Sequence, residues 1–414
     1  MPGAEMRLPL GWGWLFIQRS LAWDLSLLPS TGPISSALSA HYGTRPVVMV
    51  GGFLSGLGLL LASFATCLTH LHFCIGLLAG LGWALVFTPS LATVSRYFEK
   101  RRTLATGLAV SGAGVSSLAF SPLFQLLVDS YGWRGALLLV AGMSFNLVAA
   151  GALLRSLSLA GDSVAGDAPG QKRLSRLTSL LGLDLLSHKP FMRYILAFIL
   201  IDTGYFVPYA HLVPYTREMG YDEYQAAFLM SATAVADLVG RIFAGWLADS
   251  GTIFHLLHHL TLWTVLTGIS IALIPLGGSY ALLMGLGICY GFFAGALVPL
   301  QFSCLVEIVG TGRILGGIGL MHMLESMGAL LGAPLSGWLR DATGNYTISF
   351  IISGAFLLAG GLILLTLPNY FSCSWPSNPK EEMKEELEME ASELRGPFHT
   401  ATTTFRGEAE SESC

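Results

Sequence analysis

The chain has 414 residues, 53% of them hydrophobic and only 12% charged, with a formal net charge of −4 and a mean hydropathy of +0.63. Such a composition excludes a soluble domain of this length, and the charge balance, with its acidic excess gathered in the C-terminal tail, points to no nucleic-acid partner. Apolar runs of about 18 or more residues recur along the chain, each long enough to cross ~30 Å of hydrocarbon as a helix, so the expected fold is all-α and polytopic.

The opening, MPGAEMRLPLGWGW, lacks a basic region followed by a clean apolar core and a small-residue cleavage site, so no cleavable signal peptide is expected. Between Gly11 and Gly43, a stretch that holds Arg19 and Asp24, there is too little chain for two full spans of ~20 residues, and the first one or two spans are predicted to be shortened. From Pro46 onward the pattern predicts spans over 46–67, 70–93, 104–127 and 133–154. A polar stretch rich in Ser, Gly, Lys and Arg then reads as a linker between halves, and after it come spans over 191–214, 223–248, 252–276, 278–304, 314–338 and 346–367. The tail carries alternating charge with few large apolar residues and cannot build a core, so a disordered or solvated segment is expected. The domain division that follows is an N-terminal helical half over 1–154, a linker over 155–190, a C-terminal six-helix half over 191–367 and an acidic tail over 368–414. Lys and Arg gather in the loop SRYFEKRRT (Arg96, Lys100, Arg101, Arg102) and in the linker, which places both on the cytoplasmic side and, after an even number of crossings, the C-terminus too.

An internal repeat supports the two-half reading. Pro122, Asp129 and Gly132 of PLFQLLVDSYG recur as Pro334, Asp341 and Gly344 of PLSGWLRDATG at a constant offset of 212 residues, and Gly107-Leu108 matches Gly319-Leu320 at the same offset. Parallel repeats of about six spans joined by a cytoplasmic linker are the signature of a major facilitator architecture, whose site lies between the halves near the midplane.

One span carries charge where charge is costly. ATAVADLVGRIFAGWLAD, Ala232 to Asp249, places Asp237 and Arg241 at bilayer depth, where each costs roughly 2.5 to 3.5 kcal/mol on insertion scales. Residues four apart share a helical face, so the two can pair and lower each other's cost. Asp237 lies ~21 Å into its span, near mid-membrane. Burial and a neighbouring cation act on a carboxylate in opposite senses, and that balance allows a change of protonation during a cycle. Arg241 stays cationic and offers a planar fork that holds a carboxylate through two hydrogen bonds. In the transport reading, a proton neutralises Asp237 and frees Arg241 for a substrate anion; in the structural reading, the pair is a permanent latch between helices.

Other residues are candidates for the pathway. Asp202 lies in the preceding span with Tyr205, Tyr209 and His211 following it, where it either lines the pathway or bonds to a neighbouring helix. His322 and Glu325, three apart, are a candidate second titrating pair. Asp249, Arg45 and the Lys100, Arg101, Arg102 cluster sit at span ends, where such residues latch helices at the membrane face. The six cysteines show no CxxC or metal spacing, and His255, His258 and His259 have no companion ligand in range, so no metal and no cofactor is expected.

GWGW (Gly11 to Trp14), YFEKRRTLATG (Tyr97 to Gly107) with Gly112 and Gly114 downstream, and the Asp237-x-x-x-Arg241 pair together resemble the monocarboxylate transporter family, solute carrier family 16, within the major facilitator superfamily. RPVVMVGG, THLHFCIGLLAGLGWAL and PLSGWLRDATGNYTISF most resemble its branch of transporters 11 and 13. The resemblance implies a non-enzymatic secondary transporter in the plasma membrane that moves a small monocarboxylate anion, of the lactate or pyruvate type, with a proton by alternating access. It also implies a single-span immunoglobulin-type chaperone, basigin-like, as a partner, and makes Arg19 the remnant of a first-span basic residue used for substrate. Ile314, after Arg313, stands where lactate carriers of the family have an aromatic residue that narrows the pocket, so substrate size does not carry over. Two alternatives remain: a facilitative carrier of another organic solute, and a shortened, non-transporting variant with a regulatory or scaffold role.

Overall fold

Within a bilayer each backbone amide must be satisfied inside the protein, which leaves helices as the economical solution for long apolar runs. The computed structural model describes residues 31–154, 182–250 and 255–367, and every regular element among them is helical. Arg19, most of the linker and the acidic tail lie outside the described residues.

In chain order the helices are α1 (Gly32–Tyr42), α2 (Thr44–Ser63), α3 (Thr69–Tyr97), α4 (Arg102–Ser144) and α5 (Asn146–Leu153) before the linker. After it come α6 (Lys189–Tyr205), α7 (Val207–Glu218), α8 (Glu223–Asp249), α9 (Leu256–Leu273), α10 (Tyr280–Val309), α11 (Ile314–Thr343) and α12 (Thr347–Leu364). Nine helical stretches among the described residues are long and apolar enough to cross a membrane. The 11 described residues of α1 are not among those stretches, and the region predicted to be shortened lies largely outside the described residues.

Boundaries differ from the predicted ones where local chemistry intervenes. The spans predicted over 104–127 and 133–154 run almost continuously through α4 and on into α5, and inside α4 the non-helical residue is Gly132, with φ of 69° and ψ of 169°. Only glycine takes that conformation at little cost, and the break turns the chain for its return crossing. Helix formation also resumes within the predicted linker, at Lys189, because Pro190 is tolerated in a first turn where its missing amide has no helical partner. Conversely, α6 and α7 form one span broken at Phe206, with Pro208 interrupting the amide ladder.

Glycine seams set how closely these helices pack. A side chain at Gly240, Gly291 or Gly295 would run into the backbone carbonyls of Phe292, Thr233 and Asp237, so α8 and α10 lie nearly backbone to backbone. Gly328 and Gly332 of α11 meet the carbonyls of Ile199 and Thr203 on α6 in the same way. Where water supplies no hydrophobic drive, small residues of this kind are what allow tight helix association.

Contacts between the portions before and after the linker concentrate at one end. Gly107 of α4 lies 2.7 Å, measured from an ideal Cβ, from the carbonyl oxygen of Arg241, and Gly245 lies 2.9 Å from that of Thr103. Two turns along, at Gly114, the nearest atoms are Leu238 side-chain carbons at 3.6 Å. The Asp249 carboxylate closes the tight end, accepting the backbone amides of Thr103 at 3.3 Å and Leu104 at 2.7 Å, at the N-terminus of α4. Arg96 donates to the Gly312 carbonyl at 3.5 Å on the same side.

A carboxylate on a helix N-terminus is worth about 1–2 kcal/mol. Asp249→Ala is therefore expected to loosen this end and to shift an opening equilibrium by roughly tenfold. Spin labels at Lys100 and Arg313, both exposed, would report it as a longer-distance population in pulsed electron resonance; an unchanged distance distribution would show that Asp249 holds nothing closed.

Candidate functional site

Helix α8 is started by a capping box: Asp222 Oδ1 accepts the amide of Glu223 at 2.8 Å, and the Gln225 side chain accepts the amide of Asp222 at 3.1 Å. Fixing that end fixes the height of Asp237, which is 5% exposed. Arg241, one turn on, donates from Nε at 2.9 Å and from Nη2 at 2.8 Å, both to Asp237 Oδ2. The pairing expected from the four-residue spacing is therefore present.

Two features of the pair are tertiary. Arg241 Nη1 donates to the carbonyl of Val110 on α4 at 3.1 Å, so the guanidinium joins the two portions of the chain. Asp237 Oδ1 is buried with no hydrogen-bond partner of good geometry, although the Tyr209 phenol stands beside the carboxylate. An unsatisfied buried carboxylate oxygen is costly and calls for a donor.

Aromatic rings wall this centre. Tyr209 lies 5.9 Å from Tyr205 and 5.6 Å from Tyr290, measured between ring centroids. The break after α6 has a use here, since the Tyr205 carbonyl just before it accepts the Tyr290 hydroxyl at 2.7 Å. Nothing in the local sequence marks Tyr290 as part of this centre.

A second polar group lies among α6, α10 and α11. Gln301 Nε2 donates to Glu325 Oε1, and Tyr194 donates to the Gln301 backbone carbonyl at 2.6 Å. Asp202 is near enough to Glu325 for the two to interact electrostatically. The His322 ring sits between Phe87 of α3 and Phe302 of α10, 5.6 Å from each. Gln301, a polar residue inside an apolar span, was the sequence signal that could have drawn attention to α10.

The remaining candidates fall elsewhere. Ile314 is fully buried in the first turn of α11, among the core side chains. Arg45, Lys100 and Arg101 are exposed, and Arg102 donates to the Ser95 carbonyl at 2.9 Å. At the closed end Asp249 thus meets backbone amides of α4.

The family model described as Major Facilitator Superfamily matches residues 28–260 and 259–407. Monocarboxylate transporter 13 of Rattus norvegicus is 55% identical over 368 residues, covering 88% of this chain and 82% of the relative. Monocarboxylate transporter 11 of Homo sapiens is 44% identical over 351 residues, covering 83% and 73%. This chain belongs to the monocarboxylate transporter family. As a member of that family it is a multi-pass membrane transporter and not an enzyme. Solved structures agree on the major facilitator fold. The Escherichia coli fucose:proton symporter superposes with a TM-score of 0.67 at 17% identity, over 84% of this chain and 89% of that one. The human organic anion transporter TETRAN superposes with a TM-score of 0.63 at 15% identity, over 83% and 82%.

Proposed function

We propose that this monocarboxylate transporter family member carries a small monocarboxylate of the lactate or pyruvate type together with a proton. The observation that carries the reading is the buried Asp237–Arg241 pair at the junction of α8 with α4. Arg241 is the anion-binding fork, and Asp237 is the group whose protonation releases it. A proton and an anion then cross as a neutral load, which avoids the cost of moving net charge through hydrocarbon.

Two halves, 1–154 and 191–367, rock about this centre. With the loop at Arg96 to Arg102 cytoplasmic, the end closed by Asp249 is the inner one, and this conformation faces outward. The family likeness extends the proposal to a plasma-membrane location and to a single-span immunoglobulin-type partner such as basigin.

Uptake of labelled lactate or pyruvate into liposomes holding the full chain, at two external pH values, tests the reading. Faster uptake at the lower pH is expected, with Arg241→Ala losing about a hundredfold, the equivalent of ~3 kcal/mol. Uptake indifferent to both pH and Arg241 would instead favour a facilitative carrier of another solute.

A further inference from the structure

Both hydrogen bonds from the Arg241 guanidinium to Asp237 fall on Oδ2. Oδ1 is left as the oxygen open to a proton, and it is buried without a hydrogen-bond partner of good geometry. A buried carboxylate oxygen in that state calls for a donor from the protein, and a phenol hydroxyl can both donate and accept.

Three tyrosines stand near it, and main chain fixes where they stand. Any side chain at Gly291 or Gly295 of α10 would meet the carbonyl of Thr233 or of Asp237, so residues 290–295 run alongside α8 at the height of the carboxylate. Tyr290 gives its hydroxyl hydrogen to the Tyr205 carbonyl at 2.7 Å, and Tyr205 gives its own to the Ala294 carbonyl at 3.5 Å. Tyr209, carried past the break at Phe206 on α7, packs on both rings, with centroids 5.9 Å and 5.6 Å away. Two of the three hydroxyls are therefore committed to backbone carbonyls, and the third, that of Tyr209, stands beside Asp237. Tyr205 and Tyr290 are buried, whereas Tyr209 is half-buried and has space on one side in which to turn.

The titratable and charged groups facing Asp237 among the described residues are few. Its own helix contributes Arg241, α7 contributes Tyr209, α10 contributes Tyr290, and α6 contributes Tyr205 with Asp202 one turn before it. The positions of α4 that meet α8 here, Gly107, Val110 and Gly114, carry no titratable side chain.

We propose that Tyr209 is a positioning residue for the transported proton: its phenol donates to Asp237 Oδ1 while the carboxylate is charged and accepts from it once a proton has arrived there. The proton adds to Oδ1 from water in the open cavity and leaves the same oxygen for the opposite side. The phenol keeps its own hydrogen throughout, and no other bond is made or broken. A donor placed on the charged form favours that form, so Tyr209 sets the pH at which the carrier loads. The inference rests on the proton-linked reading above.

Labelled lactate uptake into liposomes holding the full chain, followed across external pH at a fixed internal pH, tests it. Tyr209→Phe keeps the ring and removes the hydroxyl, and the midpoint of its pH profile is expected about one unit above that of the wild type, a roughly tenfold tighter hold on the proton. Tyr205→Phe loses a hydroxyl that serves a backbone carbonyl, and its midpoint is expected to stay with the wild type. Replacing Tyr209 by 3-fluorotyrosine, a stronger donor of nearly the same shape, is expected to move the midpoint the other way, and it carries the test should Tyr209→Phe fail to fold. An unmoved midpoint in either variant at 209, or a Tyr205→Phe midpoint displaced as far as that of Tyr209→Phe, would overturn the role. Wild-type uptake indifferent to pH would overturn the parent reading instead.

Discussion

Asp237→Asn is expected to leave a folded carrier whose lactate or pyruvate uptake no longer responds to pH and falls by about a hundredfold or more, a barrier increase of ~3 kcal/mol. Asparagine keeps the shape of the side chain and can still accept a hydrogen bond from Arg241, but it cannot take up and release a proton. The substitution also strands a buried guanidinium. Removing one member of a buried ion pair costs ~3–5 kcal/mol when nothing replaces it, and here the Val110 carbonyl offsets a part through its bond with Nη1. The double variant Asp237→Asn/Arg241→Gln removes both charges, and its thermal stability in detergent is expected to recover towards that of the wild type while transport stays lost. If the pair were only a latch, the double variant would transport as well as it folds. Uptake and melting temperature measured on the same preparations separate the two outcomes.

Gly295→Leu is expected to abolish assembly. The α8–α10 contact leaves no room at that position, because any side chain meets the Asp237 carbonyl oxygen. Overpacking a core commonly costs about 1–3 kcal/mol, and here the obstacle is backbone, which cannot change rotamer to give way. The helices would have to separate along the seam that also holds Gly240 and Gly291, taking Asp237 out of register with Tyr209. Gly285→Leu provides the control on the same helix, since a Cβ there meets nothing within 4 Å. Surface abundance of tagged protein and a monodisperse elution profile should be lost in the first variant and kept in the second. Wild-type abundance of Gly295→Leu would show that the seam yields more readily than its geometry implies.

What could be read from the residues alone followed the range of the interactions concerned. Helix existence is set by apolar runs and backbone satisfaction within each run, so the spans from Thr44 onward were legible, with boundaries moved by Gly132 and Pro190. The Asp237–Arg241 pairing was legible because four-residue spacing is a property of a single helix. By contrast Val110, Tyr290 and Gln301 join their centres through contacts between helices 131, 85 and 24 residues apart in sequence. No local pattern encodes those. Ile314 shows the same dependence on range: its complete burial in the first turn of α11 comes from contacts between helices that no pattern around it encodes.

The bond between Asp249 and the start of α4 has an asymmetry that bears on which inherited changes this carrier can absorb. Asp249 reaches for amides, so on the α4 side the contact is written in main chain and survives almost any exchange at Thr103 or Leu104. Proline at 104 is the exception, because it deletes the donor of the shorter bond. On the α8 side there is no such latitude: a longer or neutral residue in place of Asp249 changes both bonds at once. Variation tolerated at one partner and forbidden at the other is therefore the pattern to look for across natural variants of this chain, and a pairwise search for compensating substitutions would pass over the contact.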